Sequence, residues 1–321
     1  MASDFELGFP IMPYDITRPL LEGRVDVPGV KLRPMVTMAM VFGDLPALRQ
    51  GDFGLWDLNL GYLPPAVEAG WELVALPVFC KRKPAYQFIF CREGIDQPKD
   101  LEGKRVGSNS YRTALTVYAR GFLQHRHGVD VNTMRWVIWR DEYLPMHDIH
   151  TAIEPPPDLK KSPVQCLLDG ELDALITDIS DVDLFRQLET STKVHRLFPD
   201  YEAEDLRLYQ ETGIFTPVHL VVMSKKLDQE QRELARRLYD AFVEAKRLAE
   251  WDMLSDRGGL TVPYLRERVL ESQNRWGDVY KYGVQANRAA IDAFLAYSAE
   301  QGMTGRRLAA EELFAKGTLD T

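Results

Sequence analysis

The stretch YQETGIFTPVHLVVMS (209–224) separates two kinds of sequence pattern. Before it, short apolar runs alternate with helical patterns of about ten to fifteen residues, which is typical of βαβ units and mainly parallel sheets. From residue 226 onward the pattern is helical throughout, and we expect Asp228 and Gln231 to cap a helix whose apolar stripe runs from Leu234 to Leu248. We therefore predict an α/β fold with mixed, mainly parallel sheets, in which TPVHLVVMS is the last strand and helices end the chain. One histidine, His219, stands in the middle of this apolar strand.

Composition limits the classes of function. The chain has 321 residues, a formal net charge of −9 and a hydrophobic fraction of 45%, which argues for a globular protein and against non-specific binding of nucleic acid. It has no apolar run of about eighteen residues, so we expect no membrane span. The start, MASDFELGFPIMPYD, lacks the basic and apolar regions of a secretory signal, so we expect a cytoplasmic protein.

Polar residues follow several of the predicted strands. In open α/β sheets, ligands bind beyond the carboxyl ends of the strands. We therefore predict two lobes, residues 1–108 plus 217–321 and residues 109–216, with a ligand cleft between them. The polar strand ends are Tyr14-Asp15, Asp57-Leu58-Asn59, Ser108 to Arg112, and Thr177-Asp178.

The loop GSNSYRT (107–113) precedes a predicted helix. The hydroxyls of Ser110 and Thr113, with the N–H groups at the helix start, could bind an anion, and Arg112 could clamp a carboxylate. The alternative is ordinary capping of the helix, with Arg112 in solvent.

Three further side chains are candidates for acid–base chemistry. Asp57 and Asn59 share one face of their strand, and Asp178 ends the strand DALIT. A carboxylate facing an apolar cleft can act as an acid, although capping of the next helix is an equal alternative. His219 is either a hydrogen-bonded core residue or a proton-transfer group.

Cofactor motifs are missing. GxGxxG, a P-loop, HExxH and GxSxG are all absent, so we predict no cofactor. The polar segment 141–162 reads as a long surface loop. It contains His147 and His150 near Asp141 and Glu142, but no strong framework holds them, so we predict no metal.

The chain resembles the 4,5-dihydroxyphthalate decarboxylases, which have the type 2 periplasmic-binding-protein fold. The resemblance implies a cofactor-free carboxy-lyase that protonates a ring carbon of a hydroxylated aromatic acid and releases CO2. It covers nearly the whole chain through YDITRPLLEGRV (14–25), LPVF (76–79), DLEGKRVG (100–107), LFPDY (197–201), TGIF–H (212–219) and YG–NR (282–288).

We predict roles for individual residues in such a reaction. His219 would be the acid or base, with Asp178 or Asp57 as its partner, and Tyr111 with Arg112 would orient the acid. The pocket departs from the family pattern at Ala85-Tyr86, at Asn109-Ser110 and from Asp57 to Gly61, so another aromatic or unsaturated acid is an alternative substrate. The predicted substrate-binding residues are Tyr14, Arg18, Asn59, Tyr86, Ser110, Tyr111, Arg112 and Thr113.

Two other functions stay open at this point. A solute-binding or sensor protein of this fold would bind a small anion without changing it. A dehydratase or rearranging enzyme would act on a carboxylated ring. The C-terminal helices could also join copies into a homo-oligomer, although an amphipathic stripe more often packs within its own chain.

Overall fold

The computed structural model describes residues 5–36, 45–140, 143–177, 181–231, 233–255 and 261–321. The chain divides into two compact units. Unit 1 comprises Met1–Arg82, His219–Ile291 and Ala309–Thr321, and unit 2 comprises Lys83–Val218 and Asp292–Leu308.

Unit 1 is built on two sheets. In the first, β1 (Phe5–Ile11) pairs in parallel with β2 (Val30–Val36). The second contains β3 (Leu55–Asn59), β4 (Leu73–Ala75), β5 (Lys81–Arg82) and β12 (Pro217–Ser224). β12 lies between β3 and β4, runs antiparallel to both and also pairs with β5. It is buried along its whole length, as its apolar run predicts.

A long helix covers these strands. The helices of unit 1 are α1 (Arg18–Leu21), α2 (Leu45–Gln50), α3 (Leu63–Glu68), α8 (Lys225–Glu230), α9 (Leu234–Leu254), α10 (Leu265–Trp276) and α12 (Ala310–Leu313). On α9 the predicted apolar stripe is buried at Leu234, Leu238, Ala241 and Ala245, and Phe242 meets Phe9 edge to face with ring centroids 5.6 Å apart.

The predicted start of this helix is wrong. Asp228 and Gln231 were expected to cap it, but Asp228 lies inside α8, and α9 begins only at Leu234 without a side-chain cap. The burial of the stripe stabilises α9 in place of a cap.

Unit 2 contains one mixed sheet. Its strands are β6 (Ile89–Arg92), β7 (Arg105–Ser108), β8 (Arg135–Ile138), β9 (Ala152–Glu154), β10 (Ala174–Ile176) and β11 (Val194–Arg196), in the order β11-β6-β10-β7-β8-β9. The pairings β10–β7, β7–β8 and β8–β9 are parallel. β6 runs antiparallel to both β10 and β11.

The sheets are mixed, as predicted, and the antiparallel pairs involve β12 and β6. A helical crossover makes two successive strands parallel when both belong to the same sheet. β12 follows most of unit 2 in the chain, so no such crossover sets its direction, and it runs against β3 and β4.

The helices of unit 2 are α4 (Ala114–His127), α5 (Pro163–Asp169), α6 (Val182–Thr190), α7 (Tyr201–Thr212) and most of α11 (Arg288–Glu300). α4 ends at Gly128, whose φ of 65° is left-handed. α11 packs on α4, with the rings of Phe294 and Tyr118 5.0 Å apart. A Cβ on Gly121 would lie 2.4 Å from Cδ2 of Tyr297, so this helix contact requires glycine.

The boundaries of the units differ from those predicted. The first was expected near residue 109, but unit 2 begins at Lys83, because β6 and β7 pair within its sheet. The segment Asp292–Leu308 was expected in the first lobe but belongs to unit 2, because α11 packs on α4.

The segment predicted as a long surface loop is more ordered than expected. Within it, β9 adds a parallel strand to β8, and the N–H of His147 donates to the carbonyl of Gly302 at 2.9 Å. The short strand β9 is largely exposed, so its sequence has no apolar pattern from which a strand could be predicted. Among the described helices, none has both the length and the apolar character needed to cross a membrane.

Candidate functional site

A buried carboxylate lies near the carboxyl end of β3 in unit 1. In the ladder between β3 and β12, His219 pairs with Asn59, and Val221 pairs with Asp57. Because side chains alternate along a strand, Asp57 and His219 point to the same face and lie diagonally across the ladder. Asp57 is 1% exposed and His219 is 8% exposed.

Three donors surround the Asp57 carboxylate. Nδ1 of His219 lies 2.8 Å from Oδ1. The hydroxyl of Tyr14 donates to Oδ2 at 2.8 Å, and the main-chain N–H of Met12 donates to the same oxygen at 3.4 Å. The structure thus brings together three residues that the sequence placed more than forty positions apart.

This arrangement determines the tautomer of His219. An ionised carboxylate can only accept hydrogen bonds, so Nδ1 of His219 carries a hydrogen. Nε2 then holds a lone pair when the ring is neutral and a proton when the ring is charged. The pair of Asp57 and His219 can therefore take up or release a proton at Nε2.

The neighbouring acidic side chains keep their protons. Burial, together with the charge of Asp57, raises the pKa of Tyr14 above its ordinary value. The same two causes raise the pKa of the Cys80 thiol. His219 is therefore the member of this cluster best suited to transfer a proton.

Two other predicted residues of unit 1 lie nearby in the chain. The side chain of Asn59 accepts from the N–H of Gly61 at 2.9 Å and caps the 3-10 helix Leu60–Tyr62. This is the capping alternative that the sequence left open. Arg18 is exposed at the first position of α1.

The polar turn between β7 and α4 in unit 2 is buried. The hydroxyl of Ser110 accepts from the N–H of Arg112 at 3.2 Å. Arg112 is fully buried rather than in solvent, and its Nη2 donates to the carbonyls of Leu144 at 2.7 Å and Pro145 at 3.4 Å. Arg112 therefore ties the turn to the segment that follows β8.

Tyr111 lies under a second buried arginine. The guanidinium carbon of Arg120 is 3.6 Å from the centroid of the Tyr111 ring, and Nη2 of Arg120 donates to the carbonyl of Tyr111 at 2.7 Å. Its Nε donates to the side chain of Gln301 at 2.7 Å. Neither Arg120 nor Gln301 was predicted from the sequence. Arg120 could have been found, because it is a charged residue on an otherwise apolar face of its helix.

The polar ends of two neighbouring strands of unit 2 meet. Nδ2 of Asn109, after β7, donates to the hydroxyl of Thr177, after β10, at 2.9 Å. The half-buried Thr113 shares a hydrogen bond of 2.7 Å with Thr116. Asp178, predicted to act beside His219, lies outside the described residues.

Tyr86, a predicted substrate-binding residue, is buried in unit 2. It belongs to a 3-10 helix before β6, it is 1% exposed, and its ring packs against Phe122 and Phe198. Its hydroxyl lies 3.1 Å from Nε2 of His127. The aromatic neighbours explain this position, because they bury the ring more completely than a strand end would.

Metal ligands are not grouped in the part of the chain that the structure describes. No cluster of three or more His, Cys, Asp or Glu side chains suited to a metal occurs there. Asp141 and Glu142, which the sequence placed near His147 and His150, lie outside the described residues.

Comparisons with known proteins give a consistent picture of the fold. The chain is 28% identical over 336 residues to the 4,5-dihydroxyphthalate decarboxylase of Comamonas testosteroni, and the match covers 99% of each chain. Among solved structures, the alkanesulfonate-binding protein SsuA from Xanthomonas axonopodis pv. citri bound to MOPS matches with a TM-score of 0.55 and 14% identity, over 97% of this chain and 98% of that one.

A desulfurization enzyme, DSZB, matches with a TM-score of 0.53 and 14% identity over 98% of both chains. No protein-family model matches the chain. The predicted α/β fold is confirmed, with mixed sheets. The chain is therefore a distant homologue of 4,5-dihydroxyphthalate decarboxylase and has the fold of the type 2 periplasmic binding proteins.

Proposed function

We propose that the protein is a carboxy-lyase that removes CO2 from a hydroxylated aromatic acid similar to 4,5-dihydroxyphthalate, without a cofactor. The observation that carries the proposal is the buried pair of Asp57 and His219, with 2.8 Å between Oδ1 and Nδ1. The full-length similarity to a decarboxylase supports it.

The reaction needs a proton donor at the ring carbon that bears the carboxylate. A hydroxyl para to this carboxylate loses its proton to solvent, and its electrons flow into the ring. His219, protonated on both nitrogens, then gives its Nε2 proton to the ring carbon. The bond between that carbon and the carboxylate breaks, its electron pair returns to the ring, and CO2 leaves. The phenolic oxygen regains a proton, so each turnover consumes one proton.

Asp57 supports this step electrostatically. Its negative charge lies beside Nδ1 and stabilises the positive ring that must form again after each turnover. General acid catalysis of this kind typically contributes at least ~100-fold to the rate.

Arg18 and Asn59 are two predicted substrate-binding residues of unit 1. Arg18 is exposed, and we propose that it contacts the substrate. Contact of Asn59 with the substrate stays a prediction, because its side-chain oxygen caps the 3-10 helix Leu60–Tyr62. A phenol has a reference pKa near ~10, so the guanidinium of Arg18 would favour its ionised form. In unit 2, binding of the carboxylate near Thr113 stays a prediction, as does the ligand cleft.

One assay tests the proposal. The purified protein is incubated with 4,5-dihydroxyphthalate and related aromatic acids without added cofactor, and CO2 and product mass are followed. Release of CO2 with a product lighter by the same mass supports a carboxy-lyase.

Two other results would replace it. Tight binding with an unchanged ligand mass would favour a solute-binding or sensor protein, a function that the likeness to an alkanesulfonate-binding protein makes worth testing. Loss of water would favour a dehydratase. A His219→Asn variant serves as the matched control, since it should bind the acid without releasing CO2.

A further inference from the structure

We infer that Tyr14 is a positioning residue, which holds the Asp57 carboxylate in one orientation and thereby determines which nitrogen of His219 faces a ligand. Its effect on turnover rests on the proposed function. This role replaces the prediction that Tyr14 binds the substrate.

The first reason is the way the bonds of Asp57 are divided. Oδ1 accepts from His219, while Oδ2 accepts from the hydroxyl of Tyr14 at 2.8 Å and from the N–H of Met12 at 3.4 Å. A carboxylate held at one oxygen can still rotate about its Cβ–Cγ bond. The bond from Tyr14 is much the shorter of the two at Oδ2, so Tyr14 supplies most of the restraint on this rotation.

The second reason is that Tyr14 is itself fixed. Its N–H donates to the carbonyl of Met12 at 2.8 Å. Its carbonyl accepts from the N–H of Thr17 at 3.3 Å and from the hydroxyl of Thr17 at 3.2 Å. Thr17 is fully buried, and the ring of Tyr14 packs against the core of unit 1. The Tyr14 hydroxyl is thus held in place by a hydrogen-bonded turn.

The third reason concerns the hydroxyl hydrogen. A tyrosine hydroxyl has one hydrogen, and here it is donated to Asp57. Burial and the charge of Asp57 raise the pKa of Tyr14, so this hydrogen stays in place over the pH range of an assay. Tyr14 therefore has no hydrogen left to donate to a substrate.

Tyr14 affects His219 through Asp57. With Oδ2 held, Oδ1 stays directed at Nδ1, and Nε2 is the ring nitrogen left for a ligand. Without the Tyr14 hydroxyl, less of the Asp57 charge is neutralised, so Asp57 attracts the charged form of His219 more strongly.

The test uses Tyr14→Phe in the full chain. We expect kcat to fall roughly tenfold while KM stays within about twofold, because a hydrogen bond to a charged group is lost but no substrate contact is removed. We also expect the NMR titration midpoint of the His219 ring to move to higher pH. The chain has six histidines, so the His219 resonance is assigned by its loss in His219→Asn.

The matched control is Tyr282→Phe. The Tyr282 hydroxyl is buried in the same core and has no hydrogen-bond partner among the described residues. Its removal should change neither kcat nor the His219 titration. An Asp57→Asn background adds a second control, because Tyr14→Phe should not shift the ring titration further when Asp57 carries no charge.

Several results would overturn the positioning role. They are a raised KM with unchanged kcat, an unmoved His219 midpoint, or an equal shift in the Asp57→Asn background. The NMR measurements need no substrate, so they decide the role of Tyr14 even if the wild-type protein releases no CO2, which would refute only the proposed function.

Discussion

The polar cluster of unit 1 and the arginine cluster of unit 2 are both buried, yet their hydrogen bonds go to different kinds of group. In unit 1, Asp57 accepts from the side chains of His219 and Tyr14. In unit 2, Arg112 and Arg120 donate to main-chain carbonyls. An arginine does not release its proton in a protein, so its bonds to carbonyls stabilise the fold. A carboxylate beside an imidazole can instead support proton transfer.

The difference shows that burial of a charged residue does not by itself indicate a reactive site. The identity of its partner decides whether the group can exchange a proton. We therefore expect changes in the cluster of unit 1 to affect activity, and changes in the cluster of unit 2 to affect stability.

The largest expected effect is on turnover, in unit 1. His219→Asn should lower kcat at least ~100-fold, because the proton donor is lost. The melting temperature should change little, since asparagine keeps an N–H group near Asp57. Steady-state CO2 release and thermal melts measure the two effects. Normal turnover in this variant would remove His219 from the mechanism.

The next effect is on stability, in unit 2. Arg120→Met should lower the free energy of unfolding by about 3 kcal/mol, because the carbonyl of Tyr111 and the side chain of Gln301 both lose a buried donor. Urea denaturation measures this loss. Arg126→Met, at the end of the same helix in an ion pair with Glu211, should cost less than about 1 kcal/mol.

Measurements of specific activity distinguish the cluster of unit 1 from the cluster of unit 2. If Arg120 is structural, the folded fraction of Arg120→Met keeps its specific activity. A loss of kcat with unchanged unfolding would contradict the comparison.

A smaller loss is expected at the contact between α4 and α11. Gly121→Ala places a Cβ 2.4 Å from the Tyr297 ring, and overpacking of this kind costs roughly 1–3 kcal/mol. Combining it with Tyr297→Ala should give a total loss below the sum of the two single losses, because the clash disappears. Additive losses in urea denaturation would show that the helices do not pack in this way.

The smallest effect depends on pH. Asp205 on α7 is buried, and its Oδ1 has no hydrogen-bond partner among the described residues. Burial raises the pKa of Asp205 to about 7, against the lowering effect of the Tyr86 N–H. Because the folded-state pKa is raised, the folded chain binds the proton more tightly than the unfolded chain. Asp205 therefore destabilises the fold progressively as pH rises from the unfolded pKa to about 7.

Asp205→Asn removes this dependence. Relative to wild type, it should gain on the order of 1–2 kcal/mol between pH 6 and pH 8, measured by urea denaturation at each pH. Glu202→Gln changes an exposed carboxylate of the same helix and should leave the pH dependence unchanged. Parallel pH profiles for wild type and Asp205→Asn would contradict the prediction.

Much of the fold could be predicted because it rests on local patterns. The apolar run of β12 and the stripe of α9 are found where the sequence indicated. Strand direction was harder to predict. β12 pairs with strands more than a hundred residues away along the chain, and no local pattern records the direction of such a partner.

The site was only partly predictable. Asp57 and His219 stood out as polar residues in apolar strands, and the structure brings them together. Tyr86 and Arg112, which were predicted to contact a substrate, are buried within unit 2, and their contact with a substrate stays a prediction. Their types suit both binding and packing, so residue type could not separate the two roles.

By itself, the sequence determined which segments are strands and helices, and which strands carry a polar residue among apolar ones, because these features depend on neighbouring side chains. Only the tertiary structure decided that Tyr14 meets Asp57, that Asp57 meets His219, and that the arginines of unit 2 meet carbonyls. Those partners come from distant segments, and the register of packed strands and turns, which no short stretch contains, sets the distances between them.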